Sequence, residues 1–383
     1  MPESAVLREV AQVVDCEHKT APMAEPGTEF GYSIGTADLK AGRIEFSSAK
    51  RVDRKTFDEW SRRAVLGRGD LILAREAPVG QVAYVDGTQP VCLGQRTVLI
   101  RPDSSRVDSR YLHYRLLGPA AQSWMSERAA GSTVPHLNVA DVRLIPLLDL
   151  PTLEEQRQIG DVLGALDDLV DTNLALIKHC AVQVRCLYLR MMATAETELT
   201  PFFEVFDVDF GAPFKGSQFN TSREGRPLLR IRDLKTFTSD VWTLEQRDDE
   251  TIISPGDVVV GMDAEFRPTF WLGAPSLLNQ RVCRVRARVA GPAFTREALV
   301  GPLAYIEGYK TGTTVSHLNK RDLAEIKIDV PAQSALAGFE AVAEPLQALI
   351  VELKQECDIL AKARDELLPL LVSGRVRVED VTA

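Results

Sequence analysis

Two stretches of the chain keep a hydrophobic period of 3.5 residues. After Pro151 the apolar positions step by four and three, with Leu163, Val170, Ile177, Val184 and Met191 on one seam and Ile159, Leu166, Asn173, Cys180 and Leu187 on the other. Near the C-terminus Leu336, Ala343, Ile350, Cys357, Arg364 and Leu371 alternate with Phe339, Leu346, Leu353, Leu360 and Leu367. This period buries one stripe of a helix against a helical partner, and each helix is the simplest partner for the other. Asn173 and Arg364 interrupt the seams and are expected to set register. Thr152 with Glu155 has the spacing of a capping box at the start of the first helix. In the second, Pro345 predicts a bend or a late start, because an interior proline removes a hydrogen bond and clashes with the preceding turn. Pro369 predicts a kinked end and Gly374 the stop. A domain–helix–domain–helix order with an antiparallel return predicts two heads on a stem on the order of 60 Å long.

Outside these helices the pattern changes to short apolar runs bounded by turns. "GDLILA" from Gly69 and "GDVVVG" from Gly256 read as turn followed by strand, and "RTVLIRP" and "RVCRVRARV" as further strands. Residues 108–117 and 295–306 read as helices, with Asp108 and Thr295 as N-caps. In the last strand Arg284, Arg286 and Arg288 fall on one face by the two-residue period. That face is either an ordinary solvated one or a basic ridge beside a phosphate backbone.

The runs occur in the same order twice. "GDLILAREAPV" faces "GDVVVGMDAEF", "LGQR" ending at Arg96 faces "LNQR" ending at Arg281, and "TADLK" (36–40) faces "IRDLK" (231–235). "GSTVPHLN" (131–138) then faces "GTTVSHLN" (312–319), and "LDLPTLEEQ" (148–156) faces "IDVPAQSAL" (328–336). The offset drifts from about 196 to 180 residues, as insertions and deletions in surface loops produce after a duplication. The predicted fold class is α+β: two similar mixed α/β domains separated by two long antiparallel coiled-coil helices, a pseudo-two-fold internal repeat. The expected boundaries are a first head at 1–151, a spacer helix at 152–195, a second head at 196–331, a second spacer helix at 332–374 and a tail at 375–383.

Composition adds little to this until charge is mapped. The chain has 383 residues, 45% hydrophobic and 26% charged, with a formal net charge of −9. That balance opposes nucleic-acid binding only if it is spread evenly. The two helical segments 153–193 and 333–373 account for −6 of it, leaving residues 1–152 neutral. No apolar run reads as a membrane span, and the first ten residues lack the basic-then-apolar layout of a secretory signal, so a cytoplasmic location is expected. The six cysteines show no CxxC and no zinc-like spacing. No phosphate-binding GxxxxGK[ST], no GxGxxG after a strand, no HExxH, no GxSxG and no [DNS]PP[YFW] tetrapeptide is present. The acidic run Asp248-Asp249-Glu250 lacks a basic partner at nuclease spacing and reads as a solvated loop. His136 and His317 recur in the octapeptides and are expected to be buried structural residues. The chain therefore reads as a binder and spacer.

The duplicated heads, "LPTLEEQRQIGDVLGALDDLVDTN" (150–173), the octapeptide pair, "GDLILAREAPVG" and the terminal "LLPLLVSG" together resemble the specificity subunit of Type I restriction-modification enzymes. The resemblance covers almost the whole chain. It implies two target-recognition domains, each reading half of a split, asymmetric sequence in double-stranded DNA, and helices that dock two methyltransferase (modification) subunits. It also implies that S-adenosylmethionine, ATP and Mg2+ are bound by partner modification and restriction/translocase subunits, with no cofactor, no metal and no catalytic residue in this chain. The second helix departs from the pattern by lacking the "LEEQ" start. Other readings remain: a DNA-binding or adaptor subunit of another defence assembly, a stand-alone DNA-binding regulator, or a helical adaptor between two protein-binding heads.

DNA reading needs Lys or Arg on phosphates and Arg, Lys, Gln or Asn at base edges. The candidates in the first head are Lys19, Arg75, Gln95 and Arg96. In the second they are Lys215, Arg223, Arg226, Arg230, Arg232, Arg267, Gln280 and Arg281. Heads that read different sequences must differ where they read. The shared Gln95 and Gln280 and the shared octapeptides are therefore assigned to backbone contacts or folding, with Gly131, Asn138, Gly312 and Asn319 shaping a turn and Ser132, Thr133, Thr313 and Thr314 as candidate phosphate donors. The unmatched segments 21–27, 217–226 and 265–270 are expected to carry the readers.

Overall fold

The computed structural model describes residues 5–129, 135–310 and 317–382. It forms two compact units, Met1–Asp168 with Leu360–Ala383, and Leu169–Ile359. Residues 153–168 and 360–372 of the long helices fall in the first unit and residues 169–194 and 333–359 in the second.

In the first unit a four-stranded antiparallel sheet has the spatial order 11–15, 97–102, 71–74, 82–84. Strand Leu71–Ala74 is buried on both faces, which explains its unbroken apolar run. Leu71 and Leu73 join Val98 and Ile100 beneath the helices Ser109–Leu117 and Pro119–Arg128. Ile72, Ala74 and Leu99 face the other way, against Ile34, Val91 and Leu93 of a second, three-stranded sheet. That sheet pairs Glu29–Ile34 in parallel with Val91–Leu93.

The second unit repeats this plan. Its four-stranded sheet runs 206–210, 282–287, 258–261, 268–270, the same order of equivalent strands. Val258 and Val260 face Phe294 and Leu299 of helix Pro292–Lys310, while Val259 faces Leu229 and Leu278 of a second sheet, here five-stranded rather than three-stranded. Leu228–Leu229 pair in parallel with Leu277–Leu278, as the equivalent strands do in the first unit. The short helices Leu7–Val10 and Phe202–Val205 also correspond, as do Val139–Arg143 and Lys320–Ala324. The internal repeat is therefore a repeat of topology.

The long helices are Leu153–Thr194 and Gln333–Val372. The capping box forms: Thr152 N–H donates to Glu155 Oε2 at 2.9 Å, and Glu155 N–H donates back to Thr152 Oγ1 at 3.3 Å. The helices pack antiparallel within each unit, and the polar seam residues mark the register. In the first unit Arg364 donates to Asp167 at 2.8 Å. In the second, buried Asn173 donates to Glu356 at 2.9 Å and Cys357 Sγ lies 3.7 Å from the Val170 carbonyl. Gly160 and Gly164, one turn apart, admit helix Ser109–Leu117 closely: a Cβ on Gly160 would lie 3.1 Å from Tyr111 N. Buried Arg115 donates to the carbonyls of Val372 and Leu147, both at 2.6 Å, and so binds the C-terminal end of the second helix.

Three local expectations are corrected. The second helix starts at Gln333 rather than near Pro345, and its helical assignment continues through both prolines. Pro345 and Ala341, whose carbonyl it leaves without an amide, both lie on the exposed side, where water can serve that carbonyl. The helix stops at Gly374, which has φ +70°, as expected. Thr295 is not a cap: its helix begins at Pro292, and its buried hydroxyl donates to Gly291 O at 2.9 Å and accepts from Ala287 N at 3.1 Å. The second long helix also has the length and apolar composition of a membrane span, contrary to the reading of the sequence. Its apolar residues Leu336, Phe339, Ala343 and Ile350 lie in the core of the second unit.

Candidate nucleic-acid interface

The loop after the central strand is built the same way in both heads. Arg75 N–H donates to Arg96 O at 2.9 Å and Met262 N–H to Arg281 O at 2.9 Å. The ends of the octapeptides join these loops: Leu137 N–H donates to Arg75 O at 2.9 Å, and Leu318 N–H to Met262 O at 2.8 Å. Glu76 then bridges His136 and Asp263 bridges His317 as isolated antiparallel pairs. Side chains reinforce the joint. Arg96 pairs with Glu76 at 2.9 Å, Arg281 with Asp263 at 3.6 Å, and His317 Nδ1 lies 2.5 Å from Asp263. Ala77 and Ala264 follow the acids, both in the left-handed region, with φ +39° and +61°. An acid–arginine pair thus fixes this joint in each head; His317 adds its side chain to it in the second, while His136 bridges Glu76 through the backbone in the first.

This arrangement corrects the histidine assignment. His136 and His317 are exposed, and the buried octapeptide residues are Leu137 and Leu318. Asn319 caps helix Lys320–Ala324, accepting from Arg321 N at 2.9 Å and Asp322 N at 3.1 Å. Asn138 holds the N-cap position of Val139–Arg143 and donates to Asp141 at 3.3 Å. The assignments to Gly131, Ser132, Thr133, Gly312, Thr313 and Thr314 fall outside the described residues.

The remaining candidates divide by burial and partner. Arg75 is removed from the reading set: it is buried, donates to Leu137 O at 3.2 Å and pairs with Asp15 at 3.4 Å. Arg226 is a folding residue as well, forked onto Glu250 and donating to Glu245 O at 3.2 Å. Arg247 pairs with Asp249 at 2.8 Å and Arg226 with Glu250, so these two acids of the run Asp248-Asp249-Glu250 are held by ion pairs within the fold. Arg230 is mostly covered and sits 3.4 Å from buried Asp233. Arg284 and Arg286 pair with Asp209 at 2.8 and 3.1 Å and Arg288 with Asp207 at 2.8 Å, which makes that strand face an ion-paired ladder rather than a free basic ridge.

Lys19, Gln95, Lys215, Arg223, Arg232, Arg267 and Gln280 are exposed. Gln95 accepts from Thr20 at 3.1 Å, and Arg223 occupies a turn at φ +64°. Arg232 and Arg267 come together: with Lys235, Asp263, Ala264 and Glu265 they line a concavity of about 710 Å³ in the second head. Lys235 is 3.5 Å and Arg267 4.0 Å from Glu265, loose contacts between exposed groups that water screens. Asp15, Cys16 and His18 bring three ligand-type atoms within 4.8 Å of one another, a grouping that cysteine spacing did not signal. Asp15 is already taken by His18 at 2.8 Å and by Arg75, so the trio reads as a hydrogen-bonded turn.

Comparison with known proteins shows what the chain resembles. Residues 36–179 match the model of the Type I restriction modification DNA specificity domain. The chain is 34% identical over 185 residues to the Type I restriction enzyme EcoBI specificity subunit of Escherichia coli, covering 46% of this chain and 38% of that relative, so it spans well under half of that relative's length. It is 23% identical over 420 residues to the putative MjaX specificity subunit of Methanocaldococcus jannaschii, covering 99% and 95% of the two chains. The MjaIX specificity subunit of the same organism is 23% identical over 369 residues, covering 87% and 83%. The fold is like that of the S subunit of the Type I restriction-modification system from M. genitalium, with a TM-score of 0.59 over 96% of this chain and 95% of that one at 14% identity. Residues 36–179 thus match a Type I restriction modification DNA specificity domain, and the chain is similar along most of its length to Type I restriction enzyme specificity subunits.

Proposed function

We propose that this chain is the non-catalytic, sequence-reading subunit of a Type I restriction-modification assembly. Each head binds one half of a split, asymmetric target in double-stranded DNA. The long helices are the spacers and dock two modification subunits, which supply S-adenosylmethionine chemistry on adenine. Restriction/translocase subunits, using ATP and Mg2+, complete the assembly. The observation that carries this reading is a repeated frame with unlike loops: four-stranded sheet order, parallel strand pair and acid–arginine pair recur, while the exposed residues beside that ion pair differ. A protein that reads two unlike half-sites needs that combination. The first long helix supports partner docking, because Leu169, Leu174, Leu176, Val182 and Leu189 leave it 41–52% exposed.

The test is a salt titration of DNA binding by the full-length chain, alone and with its modification subunit. Phosphate neutralisation makes log K fall linearly with log salt. A clearly negative slope together with co-purification of a modification subunit is expected. A slope near zero would favour a protein adaptor.

A further inference from the structure

The hydrogen-bond frames of the two heads correspond position by position, and the residues they carry differ at two places. Asp38 accepts from Gly35 N at 2.9 Å, and Asp233 accepts from Arg230 N at 2.9 Å, which makes the two 3-10 turns equivalent. Ala37 then stands where the second head has Arg232, and both positions are exposed. Lys40 and Lys235 are common to both. Strand registers fix the other side of the site. Leu73 pairs with Val82 and Val260 with Pro268, so the loop between these strands is one residue shorter in the second head and Arg267 falls opposite Gln81. The frame therefore keeps a lysine and the acid–arginine pair in both copies, and changes Ala37 to Arg232 and Gln81 to Arg267.

We propose that Arg232 and Arg267 are the base-reading residues of the second head, each directed to the O6 and N7 acceptors of a guanine, and that Asp263, Arg281 and His317 are positioning residues for the loop that carries Arg267. This rests on the DNA-reading function proposed above. Three observations select these two arginines from the candidates. They line the same concavity. Their counterparts in the first head are chemically different, which residues serving only the fold or the phosphates need not be. They are also not committed elsewhere: among the described residues Arg232 has no recorded ion pair, and Arg267 has only the 4.0 Å contact with Glu265 at 77% side-chain exposure. Arg281 fails the second criterion because Arg96 repeats it, and Arg226 fails the third. A guanidinium fork matches the paired acceptors of guanine in the major groove, whereas glutamine at the Gln81 position matches adenine. The two heads thus differ in the residue types that distinguish those bases.

The experiment is selection from random-sequence duplex DNA by the full-length chain with its modification subunit, for wild type and for Arg232→Gln and Arg267→Gln. Both side chains are exposed, so the variants fold, and unchanged circular dichroism and melting verify this. Wild type is expected to enrich a two-part motif with guanine in one half. Each variant is expected to lose discrimination at one guanine by about 10- to 100-fold, with the other half-site unchanged. A motif that survives intact in both variants, with affinity lowered equally for all sequences and a shallower salt slope, identifies phosphate contacts and overturns the inference alone. A wild type that enriches no sequence overturns the functional reading, and the inference with it.

Discussion

His113 makes the stability of the first unit depend on mild acid. It lies on helix Ser109–Leu117, 4% exposed, between the rings of Tyr84 and Tyr114 at 6.1 and 5.1 Å, and its Nε2 has no hydrogen-bond partner. Burial pushes its pKa from 6.5 down to about 4; Asp167 pulls it up, and Arg110, Arg364 and Arg43 push it further down. The folded imidazole stays neutral while the unfolded one takes a proton, so between pH 6.5 and 4 the unfolded state binds more protons. Stability is therefore complete above about pH 6.5 and falls as pH drops toward 4. With those two values the loss is about 2 kcal/mol at pH 5, approaching about 3 kcal/mol below pH 4. Carboxylates elsewhere also titrate in acid, so the measurement is a difference. Denaturant midpoints for wild type and His113→Phe, compared at pH 7.5 and pH 5, should show wild type losing about 2 kcal/mol more than the variant. Phenylalanine keeps the ring packing and cannot charge. Parallel losses in the two proteins would refute the reasoning.

Three further substitutions probe the frame. Asp167 accepts from Arg43 at 2.9 Å, Arg364 at 2.8 Å and Tyr114 at 2.6 Å; Asp167→Asn should cost about 2–4 kcal/mol in denaturant unfolding, because it strands partly buried arginines. Arg75→Ala should destabilise the first head by about 1–3 kcal/mol, and should leave the salt slope of DNA binding unchanged in protein that remains folded. Asn319→Ala removes a helix cap and should lower stability by about 1 kcal/mol in the same assay, with Asn319→Asp retaining most of it.

What the sequence disclosed follows the range of the forces involved. The capping box at Thr152 and Glu155, the cap at Asp108, the stop at Gly374 and both helical seams depend on residues within a turn or a fixed period, and each forms as read. The duplication was legible because matched strings kept their order. Long-range pairing was not legible. Arg75 looked like a loop arginine, and only the fold brings Leu137 O and Asp15 to its guanidinium. The joint brings together Glu76, Arg96 and His136 from three segments, so no local spacing announces it. Thr295 was misplaced by a sound local rule, since the proline at the first helical position, Pro292, starts the helix three residues earlier. Arg232 and Arg267 were both singled out from the sequence, but their shared concavity needed the strand registers.

The account depends on one chain directing modification to a split target. Mapping methylated adenines across the host genome with and without this gene tests that most directly. The account predicts that one two-part, asymmetric motif with a fixed gap loses its methylation when the gene is removed. An unchanged methylation map, or loss at a single contiguous motif, would contradict it.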